Sequence, residues 1–272
     1  MRILMAIDGS KHSSVTVRMG VQLIRQSGGY ATVMTVVRPR ASTKRAETAL
    51  ERATELIRQV DPEVESLVCK GNPVDQITSV ATKGKFDLVL LGLGPFHRRL
   101  KSLFGPFAER ILARVPCPVI IVKQEAGTLE RILFCDSGAH GPSLLRRFTS
   151  QLAGLINRDT QVTVLHVMSQ MSAGPGVPGW QLRAEAEELI KARSPEGYLL
   201  EQDIQELKRY QIHPKVAVRH GWVVDEILAE AQSGDYGLIV IGAHRTEGWQ
   251  RLLLDDLAHQ IILKADRPVL VL

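Results

Sequence analysis

Residues 86–92 read FDLVLLG and residues 236–242 read YGLIVIG. They are one element met twice, 150 positions apart, and the organisation of the chain follows outward from them. At the same offset, KGNPVDQI at 70–77 matches HGWVVDEI at 220–227, and CPVIIV at 117–122 matches RPVLVL at 267–272. Upstream the offset shortens to about 128–130. There RILMAIDGS at 2–10 resembles RILFCDSG at 131–138, and ATVMTVV at 31–37 resembles TQVTVLHV at 160–167. The second copy is longer by about 20 residues, and the surplus falls between 168 and 220, where GPGVPG at 174–179 marks a loop. Each copy is domain-sized, so the repeat is a tandem duplication and not a solenoid. The expected domains are residues 1–125 and 129–272, with the seam inside KQEAGTLE.

Within a copy, short β-branched runs (ILMAI, TVMTVV, FDLVLLG, PVIIV) carry no polar alternation. Such runs fit strands buried on both faces of a parallel sheet. The segments between them have helical spacing, as in Ala46, Leu50, Ala53 and Leu56–Ile57, with Lys, Arg and Glu on the other side. Alternating strand and helix predicts an α/β fold: two tandem doubly wound domains, each with a five-stranded parallel sheet. Ligands of such sheets bind at the carboxyl ends of the strands, at a switch point.

The 272 residues, 44% apolar and 23% charged, fit a globular chain. No apolar run reaches the ~20 residues a membrane span needs, and the N-terminus lacks a signal-peptide pattern. Cys69, Cys117 and Cys135 are scattered and without metal-ligand spacing, and read as reduced thiols in a cytoplasmic protein. The net charge of +5 divides into +8 for residues 1–126 and −3 for 127–272. Apart from HRRLK at 97–101 the basic residues are dispersed, which disfavours nucleic acid as a partner.

Together ILMAIDGS with Asp8, the GNPVDQI helix start, FDLVLLG ending in Gly92, and FAERILARVPCPVIIV resemble the universal stress protein family in its two-domain form. The resemblance covers essentially the whole chain. It implies five parallel strands per domain, pairing of the two domains as a pseudo-twofold dimer through their last strands, PVIIV and PVLVL, and a capacity for ATP in many members. A further homodimer stays open. The family's ATP pattern is glycine, two residues, glycine, nine residues, glycine, then Ser or Thr. In the first copy Gly92 and Gly105 match, Gly94 lies between them, but Pro95 and Pro106 replace the second glycine and the Ser/Thr. In the second copy Gly242 alone matches; Arg245 and Asp255–Asp256 replace the rest. By the same resemblance Asp8 contacts the adenosine part of the ligand and the Val37 backbone meets adenine. Asp136 and Val167 are their counterparts, although CDSG is one residue short and leaves Ser137 as the other candidate.

A phosphate loop needs glycines for close approach and amides aimed at oxygens. Each proline removes an amide and fixes φ; Pro106 is expected to open the helix PFAERILARV. Arg98, Arg99 and Lys101 could stand in as charge-assisted donors. Asp255 and Asp256 would repel phosphates, so ATP is expected at one site at most, in the first copy.

Plainer readings stand beside these. Asp8 fits an Asx-turn or cap, HRRLK a solvated loop, His166 a packed residue, and Asp255, Asp256 and His259, whose helical spacing could also suit a metal, an ordinary helix start. Trp180 could cover a pocket or cap the core. No nucleophile elbow or Walker A loop is present, and no metal site or catalytic residue is assigned. The leading expectation is a stress-response binding or regulatory protein without catalysis. The alternatives are an adenine-nucleotide binder with slow or no hydrolysis, and a protein-interaction module presenting Leu103, Phe104 and Phe107.

Overall fold

The computed structural model describes residues 1–10, 13–38, 43–92, 101–123, 127–136, 143–168, 180, 183–242 and 256–272, with backbone alone for 101–106. The first copy runs β1 (Arg2–Ile7), α1 (Ser13–Ser27), β2 (Tyr30–Val37), α2 (Thr43–Arg58), β3 (Glu65–Lys70), α3 (Pro73–Gly84), β4 (Leu88–Gly92), α4 (Lys101–Arg114) and β5 (Val119–Val122). The second runs β6 (Arg131–Cys135), α5 (Leu144–Leu152), β7 (Gln161–Met168), α6 (Ala186–Lys191), α7 (Pro195–Arg209), β8 (Lys215–His220), α8 (Val223–Ser233), β9 (Leu238–Ile241), α9 (Asp256–Lys264) and β10 (Val269–Val271).

By its contacts the chain forms two compact units. Unit 1 holds Met1–Ala126 with Ala243–Val271, and unit 2 holds Gly127–Gly242 with Leu272. The sheet of unit 1 runs β3-β2-β1-β4-β5, every neighbour parallel, and β10 then pairs antiparallel with β5, Leu270 opposite Ile120. In unit 2 the order is β8-β7-β6-β9, all parallel. This is the α/β architecture that the alternating pattern predicts.

The runs without alternation are buried without alternation. Ile3 to Ile7, Leu88 to Leu91 and Val119 to Val122 are all buried, as parallel strands covered on both faces must be. Each fully buried Ile, Leu or Val contributes about 1.5–3 kcal/mol over exposure. β3, at the edge, is exposed along most of its length. On α2 the buried stripe is Leu50, Ala53, Thr54 and Ile57, while Leu56 is 43% exposed, so the stripe turns away from Leu56.

Two local features depart from expectation. α4 begins at Lys101, five residues before the proline expected to open it. Pro106 therefore lies inside the helix, where it withholds the amide that would meet the Ser102 carbonyl, and Gly105 before it is the residue least hindered by a following proline. Part of the surplus of the second copy is helical: α6 packs on α7 so closely that a Cβ on Gly197 would stand 2.1 Å from the Leu189 carbonyl oxygen.

Candidate functional site

In unit 1 the chain moves outward from β1 through β2 to β3, then returns to β4 on the other side of β1. The switch point is thus at the carboxyl ends of β1 and β4, where doubly wound sheets bind ligands. Three sequence-predicted residues meet there. Asp8 follows β1, Gly92 ends β4, and Val37 ends β2 on the opposite flank of β1. Gly94, Arg98 and Arg99, with His97, lie outside the described residues; Gly105 lies in α4.

Asp8 is exposed, and its Oδ1 accepts the Ser10 amide at 2.9 Å and the Ser13 hydroxyl at 3.1 Å. That is an Asx-turn tied to the first turn of α1. Gly9 between them has φ +70°, and a Cβ there would press 3.2 Å from Ala49 Cβ on α2, so glycine is required twice over. Gly92 is required for close approach: a Cβ would fall 2.1 Å from Thr16 Oγ1. Thr16 is fully buried, and its hydroxyl has no hydrogen-bond partner among the described residues. The Val37 carbonyl already accepts the Gly71 amide at 3.1 Å.

Unit 2 has the same switch point with different chemistry. Ile3 pairs with Leu88 in unit 1, and Ile132 with Leu238 in unit 2. Since Leu88 and Leu238 are the same position of the repeat, Ile132 answers to Ile3, Cys135 to Ala6 and Asp136 to Ile7. The position of Asp8 falls to Ser137, outside the described residues. On the neighbouring strand His166 answers to Thr35; Val37 stands opposite Lys70 but Val167 opposite Arg219, so Met168 holds the register of Val37. The one-residue slip explains why Asp136 is 9% exposed while Asp8 is open to solvent.

Asp136 Oδ2 accepts the Leu144 amide at 2.6 Å, at the start of α5, and its carbonyl oxygen lies 3.2 Å from His166 Nδ1. A carbonyl can only accept, so Nδ1 carries the proton. Burial pushes the His166 pKa down despite its acidic neighbours, which leaves the ring neutral. Burial, then Asp136 and Glu230, push the Cys135 thiol up, so it too is neutral. Above Gly242 the guanidinium of Arg147 takes the place Thr16 has over Gly92: a Cβ on Gly242 would meet Arg147 Nη2 at 2.7 Å.

Sequence reading missed Arg147 and, on α7, Asp203. The buried stripe of α2, Leu50, Ala53 and Ile57, recurs 150 positions on as Leu200, Asp203 and Leu207. Asp203 is wholly buried and neither carboxyl oxygen has a hydrogen-bond partner among the described residues. Its pKa is pushed up to about 7, by burial first and then by the charge of Asp136. The offset itself was the available signal. Of the other candidates, His259 Nδ1 pairs with Glu109 Oε1 at 2.7 Å, joining α9 to α4 within unit 1. Trp180 is half exposed, Phe107 is half-buried, and Asp255 and the Leu103 and Phe104 side chains lie outside the description.

A tandem pair of α/β units with ligand-type edges at their switch points is a class to which several families belong. The universal stress protein family matches residues 1–123 and 130–272, and the chain belongs to it. A universal stress protein of Methanocaldococcus jannaschii is 27% identical over 78 residues, 29% of this chain; the match spans 46% of that relative's length. A universal stress protein from Archaeoglobus fulgidus superposes with a TM-score of 0.62 at 19% identity, over 99% of this chain and 95% of its own. A protein of unknown function from Pseudomonas aeruginosa PAO1 gives 0.64 at 19%, over 100% and 92%. These likenesses concern the fold. Among the described residues no helix is long and apolar enough to cross a membrane.

Proposed function

We propose that this universal stress protein acts by binding, in a stress-response or regulatory role without turnover, and that any adenine nucleotide binds in unit 1 alone. The carrying observation is the contrast between the two edges. In unit 1 an exposed Asp8 stands beside Gly92. In unit 2 the register slip draws Asp136 into the core, and the Arg147 guanidinium packs against Gly242. The carboxylate that the resemblance assigns to the adenosine part is thus presented to solvent in one unit and withdrawn in the other. The three cysteines, none in a disulfide, fit a reducing compartment such as the cytoplasm.

In a second role proposed here, β5 and β10 hold the halves of the repeat as an internal pair, their antiparallel register covering an edge that a single copy would leave open. Calorimetry with ATP and magnesium on stripped protein tests the nucleotide reading. One site per chain, with no sustained phosphate release, is expected. Two sites, or steady turnover, would overturn it. Absence of binding at millimolar ATP would favour the interaction module.

A further inference from the structure

The two copies differ in what covers their outer groove. β3 and β8 are edge strands, each paired on one side alone among the described residues. The helices beside them, α2 and α7, match at the offset of 150, Leu50 with Leu200 and Ile57 with Leu207. The strands match too: Ser66 stands opposite Val33, and Val216 opposite Val164. Gly197 on α7 therefore answers to Glu47 on α2. In unit 2 the extra helix of the longer copy lies at this place. α6 rests on α7 and reaches β8, with Leu189 wholly buried. The Leu189 carbonyl stands so close to Gly197 that no Cβ fits between them. On β8, Val218 is 9% exposed.

Unit 1 has no such helix among its described residues. Between α2 and β3 runs an open groove of about 420 Å³, lined by Glu47, Leu50, Glu51, Thr54 and Glu55 on one side and Ser66 on the other. Val68, the counterpart of Val218, is 41% exposed, and Leu67 beside it 37%. The helix wall is acidic. Glu47, Glu51 and Glu55 stand four apart, all exposed, on one face of α2. Like charges at that spacing weaken a helix. Within the groove Arg58 alone offsets them, its Nη1 3.1 Å from Glu55 Oε2. Arg52 stands with Leu56 on the far side of the row. Residues 1–126 carry a net +8, so this wall is a local feature and not the general field of its half.

We propose that the α2–β3 groove of unit 1 is a docking surface for a short amphipathic helix of a partner protein, one that brings apolar residues to Val68 and the floor of the groove and lysine or arginine to Glu47, Glu51 and Glu55. The shape of the occupant is read from unit 2, where α6 fills the corresponding place. Its charge is read from the wall. With Glu47 in place of Gly197 the visiting backbone cannot sit as deep as α6 does, and long basic side chains span the added distance. Laying an amphipathic helix in a groove is a common mode of peptide recognition. The surface uses none of the residues of the nucleotide reading, so either can fail without the other.

The probe is a capped synthetic peptide of residues 183–194, RAEAEELIKARS, carrying Glu187→Lys and Glu188→Lys; the same peptide without substitutions is the control. It is titrated into the full chain and followed by amide chemical shifts. The basic peptide should give saturable shifts confined to α2 and β3, and the control at least about tenfold weaker ones. Glu47→Gln, Glu51→Gln and Glu55→Gln together should weaken binding about tenfold or more, and so should raising salt to about 0.5 M, where exposed charges are screened. Glu201→Gln, at the matching place on α7, should change nothing. The three groove substitutions lie at exposed positions and relieve like-charge repulsion, so the variant folds. No shifts in α2 and β3 at millimolar peptide, equal binding of the control, or indifference to the triple substitution overturns the proposal. So does a bound peptide whose nuclear Overhauser pattern is that of a strand. Sedimentation of the chain alone decides against the partner if the groove proves to join two copies, shown by a dimer that the triple variant loses.

Discussion

At the carboxyl edge of unit 1 the strands end in Ala6, Ile7 and Thr35, with Ala53 on α2. At the matching places unit 2 has Cys135, Asp136, His166 and Asp203. One set is almost wholly apolar and the other wholly ionisable, yet both are buried apart from the half-buried Cys135. The comparison teaches where this fold stores its specificity. The register of each sheet is set by backbone pairing and by apolar residues in the middle of the strands, and those agree between the copies. The last residue of a strand and the facing turn of a helix carry little of that burden. Duplication left them free to diverge, and one copy kept a packed end while the other acquired a titratable one.

The strongest way to break this contrast is to move the acid across. Ala53→Asp places a carboxyl at a buried position on the inner stripe of α2. A loss of about 3 kcal/mol or more is expected from urea unfolding at pH 8, the scale of an uncompensated buried charge. A loss under about 1 kcal/mol would mean that the α2 face yields to solvent and that burial alone does not define the difference.

The reverse exchange, Asp203→Ala, should stabilise. Displacement of the Asp203 pKa from 3.8 to about 7 corresponds to about 4 kcal/mol once the group is ionised. Removing the carboxyl leaves a small void that offsets part of this. A net gain of about 1–3 kcal/mol at pH 8, shrinking toward pH 5, is the expected result; unchanged stability at pH 8 would show that Asp203 finds donors when ionised.

The two edge glycines give a smaller and sharper contrast. Gly92→Ala drives a methyl into Thr16, a β-branched residue fixed in the core, and should cost about 2 kcal/mol. Gly242→Ala meets only the far end of Arg147, which can swing, and should cost less than about 1 kcal/mol. Equal losses would place the strain in the backbone instead of the neighbour.

Much of this was legible in the sequence, and the exceptions have physical reasons. The strands could be read because parallel burial writes itself as unbroken apolar runs. The duplication could be read because β4 and β9 hold matching apolar residues at a fixed offset. The register of Asp136 could not, because CDSG and AIDGS differ by one residue, and only pairing with β9 decides which residue leaves the sheet. Asp203 was hidden because an acid inside an apolar helical stripe reads as a break in the stripe. Pro106 misled for the opposite reason: a proline marks a helix start so often that a helix running through it goes unread.

The smallest effect concerns the turn before α3 and before its counterpart α8. Asn72 caps α3, its Oδ1 accepting the Val74 amide at 2.9 Å. At the same place in unit 2 stands Trp222, which makes no side-chain cap and leaves its ring 66% exposed. Asn72→Ala should therefore cost about 1 kcal/mol. Trp222→Asn should return a few tenths to about 1 kcal/mol, because it supplies the acceptor that α8 lacks and sheds little buried apolar surface. Thermal unfolding of both variants beside wild type resolves this if the two shifts have opposite signs. If Trp222→Asn destabilises instead, the indole is held by contacts worth more than a cap, and the exposed aromatic is part of the core's economy after all.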